Sequence, residues 1–216
     1  MNIGVLGGTF DPIHSGHLVI AKEARKKFNF MKVLFVPAGQ PWIKADREIT
    51  PAVHRVEMVR RAIAGQNDFE LSTVEVDRAG PSLSVETAAI LQKQLGKGAE
   101  LFFLVGWDSL AGLYQWKEPS RLVKMCRLVA VNRPGFRRPD LKVLESSVPG
   151  VVESVVWLDI EPINLSSSDI RKRVARGLPI QGMVPEAVEI YIKENNLYRK
   201  KKKADNYISR FLTLLA

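Results

Sequence analysis

Two histidines stand three positions apart in the string GGTFDPIHSGH at positions 7–17, shortly after a pair of glycines. The apolar segment 1–6 before this string predicts a buried strand, and the apolar spacing after it predicts a helix. The string is therefore predicted to form a strand-to-helix turn, with Ser15 as the N-cap of the helix. The free amides and the positive dipole end of such a helix attract an anion. Since His14 and His17 would lie beside that anion, the predicted chemistry is phosphate handling.

Two simpler explanations apply to the same residues. Glycines after a strand can serve a tight turn alone, and two histidines can be metal ligands. The chain has three histidines and one cysteine, which supplies a transition-metal site poorly. Ligation by histidine together with carboxylates stays open, but no dedicated metal site is expected. Because the string is far more specific than a bare glycine-rich loop, we favour the phosphate site.

A second string of chemical interest is LSSSDIR at 165–171. One of its serines is predicted to cap a helix, whose remaining amides and hydroxyls would face an anion at that end. Arg171 lies in the first helical turn, where its guanidinium can reach back to a phosphate. Alone, this string would be an ordinary helix start with a surface arginine, so its weight comes from its partnership with the first string.

The elements that must position these strings alternate along the chain. Further strands are predicted at 31–36, 69–72, 100–105, 127–131 and 154–158. A helix is predicted from Pro51 onward, with Thr50 as its N-cap. Continuous apolar strands separated by helices predict an α/β, Rossmann-like doubly wound fold, a parallel sheet with helices on both faces. In such sheets ligands bind beyond the carboxyl ends of the strands, which is where Gly8, Asp108 and Arg133 stand.

Composition narrows the class of protein. The 216 residues suffice for one large domain, and a hydrophobic share of 46% supports a sizeable core. Without an apolar run of about 20 residues, no membrane span is expected. The chain starts directly with the strand, so no signal peptide is expected either. A single cysteine permits no internal disulfide, and we expect a cytoplasmic protein.

The net charge of +9 is unevenly distributed. Positions 199–216 hold six basic residues and one acidic residue, which leaves +5 there and +4 for the rest. A body with so modest a charge suits a protein that binds anionic nucleotides. Basic residues interleaved with aromatic ones do not occur in the body, so no nucleic-acid partner is expected.

The last eighteen residues form a segment of their own. We predict a domain at 1–198 and a basic C-terminal extension at 199–216. Ile208, Phe211, Leu212 and Leu215 share one face at helical spacing, which favours a short amphipathic helix docked on the body or on another subunit. A poorly ordered extension is the alternative, and a homo-oligomer stays open.

Both strings resemble signatures of the nucleotidylyltransferase superfamily. The first resembles its H-x-G-H turn, and the second resembles its I-S-S-T-x-I-R motif, with Leu165 for Ile and Ser168 for Thr. Other segments resemble the bacterial nicotinate-nucleotide adenylyltransferases within it, over about residues 1–198. These segments are 36–44, 54–58, 78–87, 106–110 with Trp116, 133–135 and 184–198. In the third of them, Leu83 stands where the family usually has Tyr.

This resemblance implies transfer of the adenylyl group of ATP to nicotinate mononucleotide, which gives deamido-NAD and pyrophosphate. The implied catalytic residues are His14, His17, Lys44 and Arg171. The implied ATP-binding residues are Gly7, Gly8, Thr9, Phe10, Gly16, Gly106, Asp108, Arg133, Ser167 and Ser168. The implied residues for nicotinate mononucleotide are Gln40, Ser82, Leu83 and Trp116. Mg²⁺ would arrive with ATP, because no carboxylate cluster in the sequence suggests a dedicated site.

Alternatives remain at this point. A pantetheine-phosphate adenylyltransferase would share both strings but should lack the segments 78–87 and 106–116, and cytidylyl transfer is a weaker variant. A nucleotide- or nucleic-acid-binding protein without catalysis belongs to another class, suggested by the basic extension. The preference for nicotinate over nicotinamide mononucleotide stays open, because both share ribose and phosphate.

Overall fold

The computed structural model describes residues 1–41, 49–96 and 98–199. The predictions for Lys44 and for 200–216, including the docked helix, lie outside the described residues.

Six strands form one sheet. They are β1 (Asn2–Gly8), β2 (Lys32–Pro37), β3 (Phe69–Leu71), β4 (Glu100–Gly106), β5 (Arg127–Val131) and β6 (Val155–Leu158). Their order is β3-β2-β1-β4-β5-β6, and every neighbouring pair is parallel. The predicted Rossmann-like doubly wound fold is confirmed.

Nine helices are seen in the described ranges. They are α1 (Ser15–Phe28), α2 (Ala52–Ile63), α3 (Ser84–Leu95), α4 (Trp107–Ala111), α5 (Pro119–Met125), α6 (Leu141–Glu145), α7 (Val151–Ser154), α8 (Ser167–Ala175) and α9 (Glu186–Glu194). None of these helices combines the length and apolar composition that a membrane crossing needs.

Helices cover both faces of the sheet. Strand side chains alternate between the two faces, so each strand contributes apolar side chains to both. Phe102 and Leu104 of β4 join a core with α1, α2, α8 and α9. Leu101 and Phe103 join a second core with α3 and α5. Both faces are therefore apolar, which explains why the strands read as continuous apolar runs instead of alternating ones.

Two predicted helix caps are wrong by one residue. His14, with extended backbone, is the N-cap of α1, whereas Ser15 is the first helical residue and its hydroxyl donates to the Gly182 carbonyl at 3.1 Å. Pro51, not Thr50, is the N-cap of α2. The Ser15 hydroxyl is bound to another part of the fold, and Thr50 lies one residue before the cap position.

The sheet order reverses between β1 and β4. The connections from these two strands run to opposite faces, so a crevice opens beyond their carboxyl ends. The turn from β1 to α1 and the start of α4 both lie at this crevice, which is where the first string was predicted to act.

Candidate active site

A cleft of about 800 Å³ occupies this crevice. It is lined by the turn after β1, by the ends of β4 and β5, by the start of α3 and by the start of α8. The two strings, separated by 149 positions between His17 and Ser166, thus share one cavity. Such a cleft at the carboxyl edge of a parallel sheet is the default ligand site of this fold.

The turn after β1 is tightly packed around Phe10. The Phe10 backbone has a φ of 49°, which is rare for a bulky residue and indicates that the surroundings impose the conformation. Its ring is buried and meets the His17 ring edge-on, with 5.1 Å between the ring centroids. Phe10 therefore supports His17 from inside the fold.

The rings of His14 and His17 stack with their centroids 3.7 Å apart. The backbone N–H of His14 donates to Nδ1 of His17 at 3.2 Å. Because Nδ1 accepts, a neutral His17 carries its proton on Nε2, which makes that atom a hydrogen-bond donor. Gly16 keeps this arrangement open, since a Cβ there would lie 3.0 Å from Nδ1 of His14 and 2.9 Å from Ile163.

His14 is held neutral at physiological pH. Its ring is only 7% exposed, and burial together with the positive charge of Arg133 lowers its pKa from 6.5 to about 4. Its buried Nδ1 atom has no hydrogen-bond partner among the described residues. The neutral His14 ring, with a nitrogen that lacks a partner and with a guanidinium nearby, can line a site whose ligand supplies its own polar atoms.

This pKa predicts a pH dependence of stability. Between pH 6.5 and 4 the unfolded chain binds a proton at residue 14 and the folded chain does not, so acid favours unfolding in that window. We expect the free energy of unfolding to fall by up to about 3 kcal/mol more in the wild type than in His14→Asn, which cannot titrate. Urea denaturation at pH 7, 6, 5 and 4 measures this difference.

His54→Asn is the control for that experiment, because it keeps His14. A wild-type pH slope in His14→Asn would contradict the assignment of the slope to His14.

The helix α8 is bound directly to the turn after β1. The Ser166 hydroxyl caps α8 by accepting from the Asp169 N–H at 3.1 Å, as predicted for one of the three serines. The next hydroxyl, of Ser167, donates to the Pro12 carbonyl at 2.8 Å. Arg171 donates to the Asp11 carbonyl at 2.5 Å and to the Ser168 hydroxyl at 3.3 Å. The two strings thus hold each other in place at the end of the cleft where α1 and α8 begin, which is the predicted anion end.

Asp108 and Arg133 form an ion pair at the edge of the cleft, with 2.6 Å between Arg133 Nη1 and Asp108 Oδ2. The other carboxylate oxygen, Oδ1, is buried and without a hydrogen-bond partner in the described ranges. Gly106 lies against this carboxylate, and a Cβ at that position would clash with Oδ1. The hydrogen-bonding capacity of this oxygen is therefore unused within the described residues.

The far end of the cleft is built by two loops that hydrogen-bond to each other. The Gly39 N–H donates to the Ser82 hydroxyl at 2.9 Å, and the Ser82 N–H donates to the Gln40 carbonyl at 3.0 Å. Leu83 and Trp116 complete the lining here. This end combines apolar surface with backbone polar groups, which suits a planar ring with a polar substituent.

Known proteins are similar to this chain in sequence. The family model described as cytidylyltransferase-like matches residues 5–173. A relative from Dehalococcoides mccartyi (strain ATCC BAA-2266 / KCTC 15142 / 195), named "probable nicotinate-nucleotide adenylyltransferase", is 41% identical over 201 residues, which are 93% of this chain and 98% of the relative. A relative of the same name from Thermomicrobium roseum is 42% identical over 197 residues, 91% of each chain. The chain belongs to the nicotinate-nucleotide adenylyltransferase family.

A solved structure extends the likeness to the fold. Plasmodium falciparum nicotinic acid mononucleotide adenylyltransferase, complexed with APC, has a TM-score of 0.73 to this chain at 21% identity. The similarity covers 91% of this chain and 96% of that one. This member of the nicotinate-nucleotide adenylyltransferase family therefore keeps its fold across a wide sequence distance.

Most residues predicted for the adenylyltransferase site line the cleft. They are Gly7, Gly8, Thr9, Phe10, His14, Gly16, His17, Ser82, Leu83, Gly106, Asp108, Trp116, Arg133, Ser167 and Ser168. Gln40 and Arg171 do not belong to the lining, although their neighbours Pro41 and Ser168 do. Arg171 instead contacts the backbone of the turn, and Lys44 lies outside the described residues. The individual roles of all these residues remain predictions.

Three polar residues next to the site were missed by sequence reasoning. Asp11, Arg55 and Tyr198 come from three distant parts of the chain, and Asp11 and Arg55 are each only 2% exposed. Asp11 stands inside the first string and Arg55 inside the segment 54–58, so asking why those strings contain charged residues would have found both. Tyr198 stands inside the segment 184–198 but carries no charge, and its partner Asp11 is 187 residues away.

Mg²⁺, which the family resemblance implies, is predicted to arrive with ATP. In the part of the chain that the structure describes, no three His, Cys, Asp or Glu side chains gather into a metal-binding cluster. Mg²⁺ prefers oxygen ligands and is commonly held by substrate phosphates with few protein ligands.

Proposed function

We propose that this protein transfers the adenylyl group of ATP to nicotinate mononucleotide, releasing deamido-NAD and pyrophosphate, a step of NAD biosynthesis. The single observation that carries this proposal is the continuous cleft that joins an anion-binding end to a ring-binding end. Two mononucleotide units can lie end to end in such a cleft, with their phosphates meeting at the turn after β1. The names of the relatives support the choice of substrate.

The reaction is a direct in-line displacement. A phosphate oxygen of nicotinate mononucleotide forms a bond to the α-phosphorus of ATP, the bond from that phosphorus to the bridging oxygen breaks, and pyrophosphate leaves with the electron pair. The attacking phosphate is already ionised, so no general base and no covalent intermediate are needed. The protein must therefore bring two anions together and stabilise charge on the leaving group.

The anion end supplies the groups for this task. The first turns of α1 and α8 both lie at the cleft, and the positive ends of their helix dipoles attract phosphate oxygens. His17 contributes the Nε2–H donor, and Arg133 contributes a positive charge at the cleft edge. ATP enters with Mg²⁺ on its phosphates, and the family resemblance assigns Lys44 and Arg171 to the same anions.

The ring end selects the acceptor. Trp116 offers an aromatic face for the pyridine ring, and the backbone around Ser82 and Leu83 offers hydrogen bonds to its substituent. Asp108 lines the cleft, where its carboxylate can accept a hydrogen bond from a ribose hydroxyl. The leucine at position 83 makes this end more aliphatic than the usual tyrosine of the family would.

A panel of acceptors tests the proposal. Pyrophosphate release is measured with ATP and, in turn, nicotinate mononucleotide, nicotinamide mononucleotide and phosphopantetheine. We expect nicotinate mononucleotide to give the highest kcat/KM, by at least about tenfold over phosphopantetheine, because the ring end suits a planar aromatic group. Use of phosphopantetheine alone would refute the substrate while leaving the fold and the adenylyl donor unaffected.

A further inference from the structure

Three backbone carbonyls in the turn after β1 are bound by side chains from distant parts of the chain. Arg55 of α2 donates to the Thr9 carbonyl at 2.9 Å. Arg171 and Ser167 of α8 donate to the carbonyls of Asp11 and Pro12. A turn whose carbonyls are bound in this way has its position set by the helices around it, not by its own sequence alone.

The side chain of Asp11 lies at the centre of these contacts. It is 2% exposed, and its Oδ1 accepts a hydrogen bond from the Tyr198 hydroxyl at 2.8 Å. Its Oδ2 lies 3.8 Å from Nη1 of Arg171, and its charge also acts on the Arg55 guanidinium. A buried carboxylate needs such partners, because it has left water and has no other source of hydrogen bonds.

Tyr198 is a dependable donor in this position. Burial, reinforced by the neighbouring charge of Asp11, raises the pKa of its hydroxyl above the ordinary value for tyrosine. The hydroxyl therefore stays protonated and donates to the carboxylate over the whole range in which enzymes work. Tyr198 follows α9 and belongs to neither string, and its hydrogen bond to Asp11 links it to the turn after β1.

A short route connects Asp11 to the histidines. Phe10, the residue before Asp11, holds the strained backbone conformation of the turn and packs its ring against His17. A change in the position of Asp11 would move Phe10 and, through the ring contact, His17. His14 would follow, since its N–H is bonded to His17 and their rings stack.

We propose that Tyr198 is a positioning residue for adenylyl transfer: its hydroxyl fixes the Asp11 carboxylate, and Asp11 in turn fixes the turn that carries His14 and His17. The inference rests on the proposed function for the identity of the reaction. It gives Tyr198, near the end of the described residues, a role in the chemistry at the turn after β1.

Tyr198→Phe tests this, because it removes the hydroxyl and keeps the ring. We expect kcat to fall about tenfold, since small misplacements of catalytic groups act mainly on the transition state. The KM for ATP should change by less than about threefold, because helix amides and charges still hold the ground-state phosphates. The matched control is Tyr191→Phe. The Tyr191 hydroxyl also forms a hydrogen bond with a side chain, Nδ1 of His54 at 2.9 Å, but that bond does not involve the turn.

The thermal unfolding midpoint is measured for both variants, and similar small losses are expected. Asp11→Asn, which removes the charge at nearly constant shape, is a second variant and should show the same loss of kcat. An unchanged kcat in Tyr198→Phe, an equal loss in Tyr191→Phe, or a raised KM with normal kcat would each overturn the proposal. Ratios to the wild type are taken with whichever acceptor the wild type uses, so a wrong substrate would refute the proposed function without deciding this inference.

Discussion

Replacement of His17 by alanine should lower kcat by about 10²–10³-fold while the protein remains folded, the usual loss when one preorganised donor is removed from a transition state. The Nδ1 atom of His17 accepts from the His14 N–H, so the donor of a neutral His17 ring is Nε2–H, which we expect to act on a phosphate oxygen. Charge on the phosphate oxygens increases as the leaving group departs, which is why kcat should suffer more than KM. Steady-state pyrophosphate release with saturating ATP measures the effect.

Two further variants separate chemistry from local structure. His17→Asn keeps a side-chain oxygen that can accept from the His14 N–H, so it should restore the start of α1 without restoring full turnover. His54→Ala removes a histidine on α2 that contacts Tyr191 and lies outside the cleft lining, and its turnover should stay near that of the wild type. Near-normal turnover in a folded His17→Ala protein would refute the assignment of His17 to the reaction.

The fold was predictable because its signals are local. Each central strand is an apolar run closed by Gly, Pro or Asn, as in 100–105 before Gly106, and the strands are separated by segments with helical spacing. A parallel sheet then puts every strand end on one edge, so Asp108 and Arg133 had to meet near the first string. Their ion pair at 2.6 Å follows from that topology.

The interior of the site was not predictable in the same way, because its contacts join residues far apart in the sequence. The hydrogen bond from Arg171 to the Asp11 carbonyl spans 160 residues, and the one from Tyr198 to the Asp11 carboxylate spans 187. Residue type misleads here as well. An arginine on a helix is usually solvated, whereas Arg55 is among the most deeply buried side chains described.

The second string, LSSSDIR, has a structural role in addition to its predicted phosphate contacts. Its match to the family predicted phosphate contacts for Ser167 and Arg171, and Ser167 does line the cleft. Both residues also donate to carbonyls of the first string, which no reading of either motif alone could reveal. The two motifs therefore depend on each other structurally as well as through a shared ligand.

Replacement of Arg55 by methionine is expected to cost about 3–5 kcal/mol in the free energy of unfolding. The guanidinium donates to three carbonyls, of Thr50 at 2.8 Å, Thr9 at 2.9 Å and Gly39 at 3.3 Å. Methionine can fill the volume but removes the guanidinium donor from each of those carbonyls and one neighbouring positive charge from the Asp11 carboxylate. Burial lowers the pKa of Arg55, and the charge of Asp11 opposes that effect, which favours the charged guanidinium.

Urea denaturation at pH 7 measures this loss as a lower midpoint at an unchanged m-value. Arg60→Met on the same helix is the matched control, since the Arg60 side chain is 61% exposed and pairs only at the surface with Glu57. That control should lie within about 0.5 kcal/mol of the wild type. A cost below about 1 kcal/mol for Arg55→Met would mean that Arg55 is not needed to hold the turn after β1. The expected cost exceeds that limit because three carbonyls lose the guanidinium as a donor and the Asp11 carboxylate loses a neighbouring positive charge.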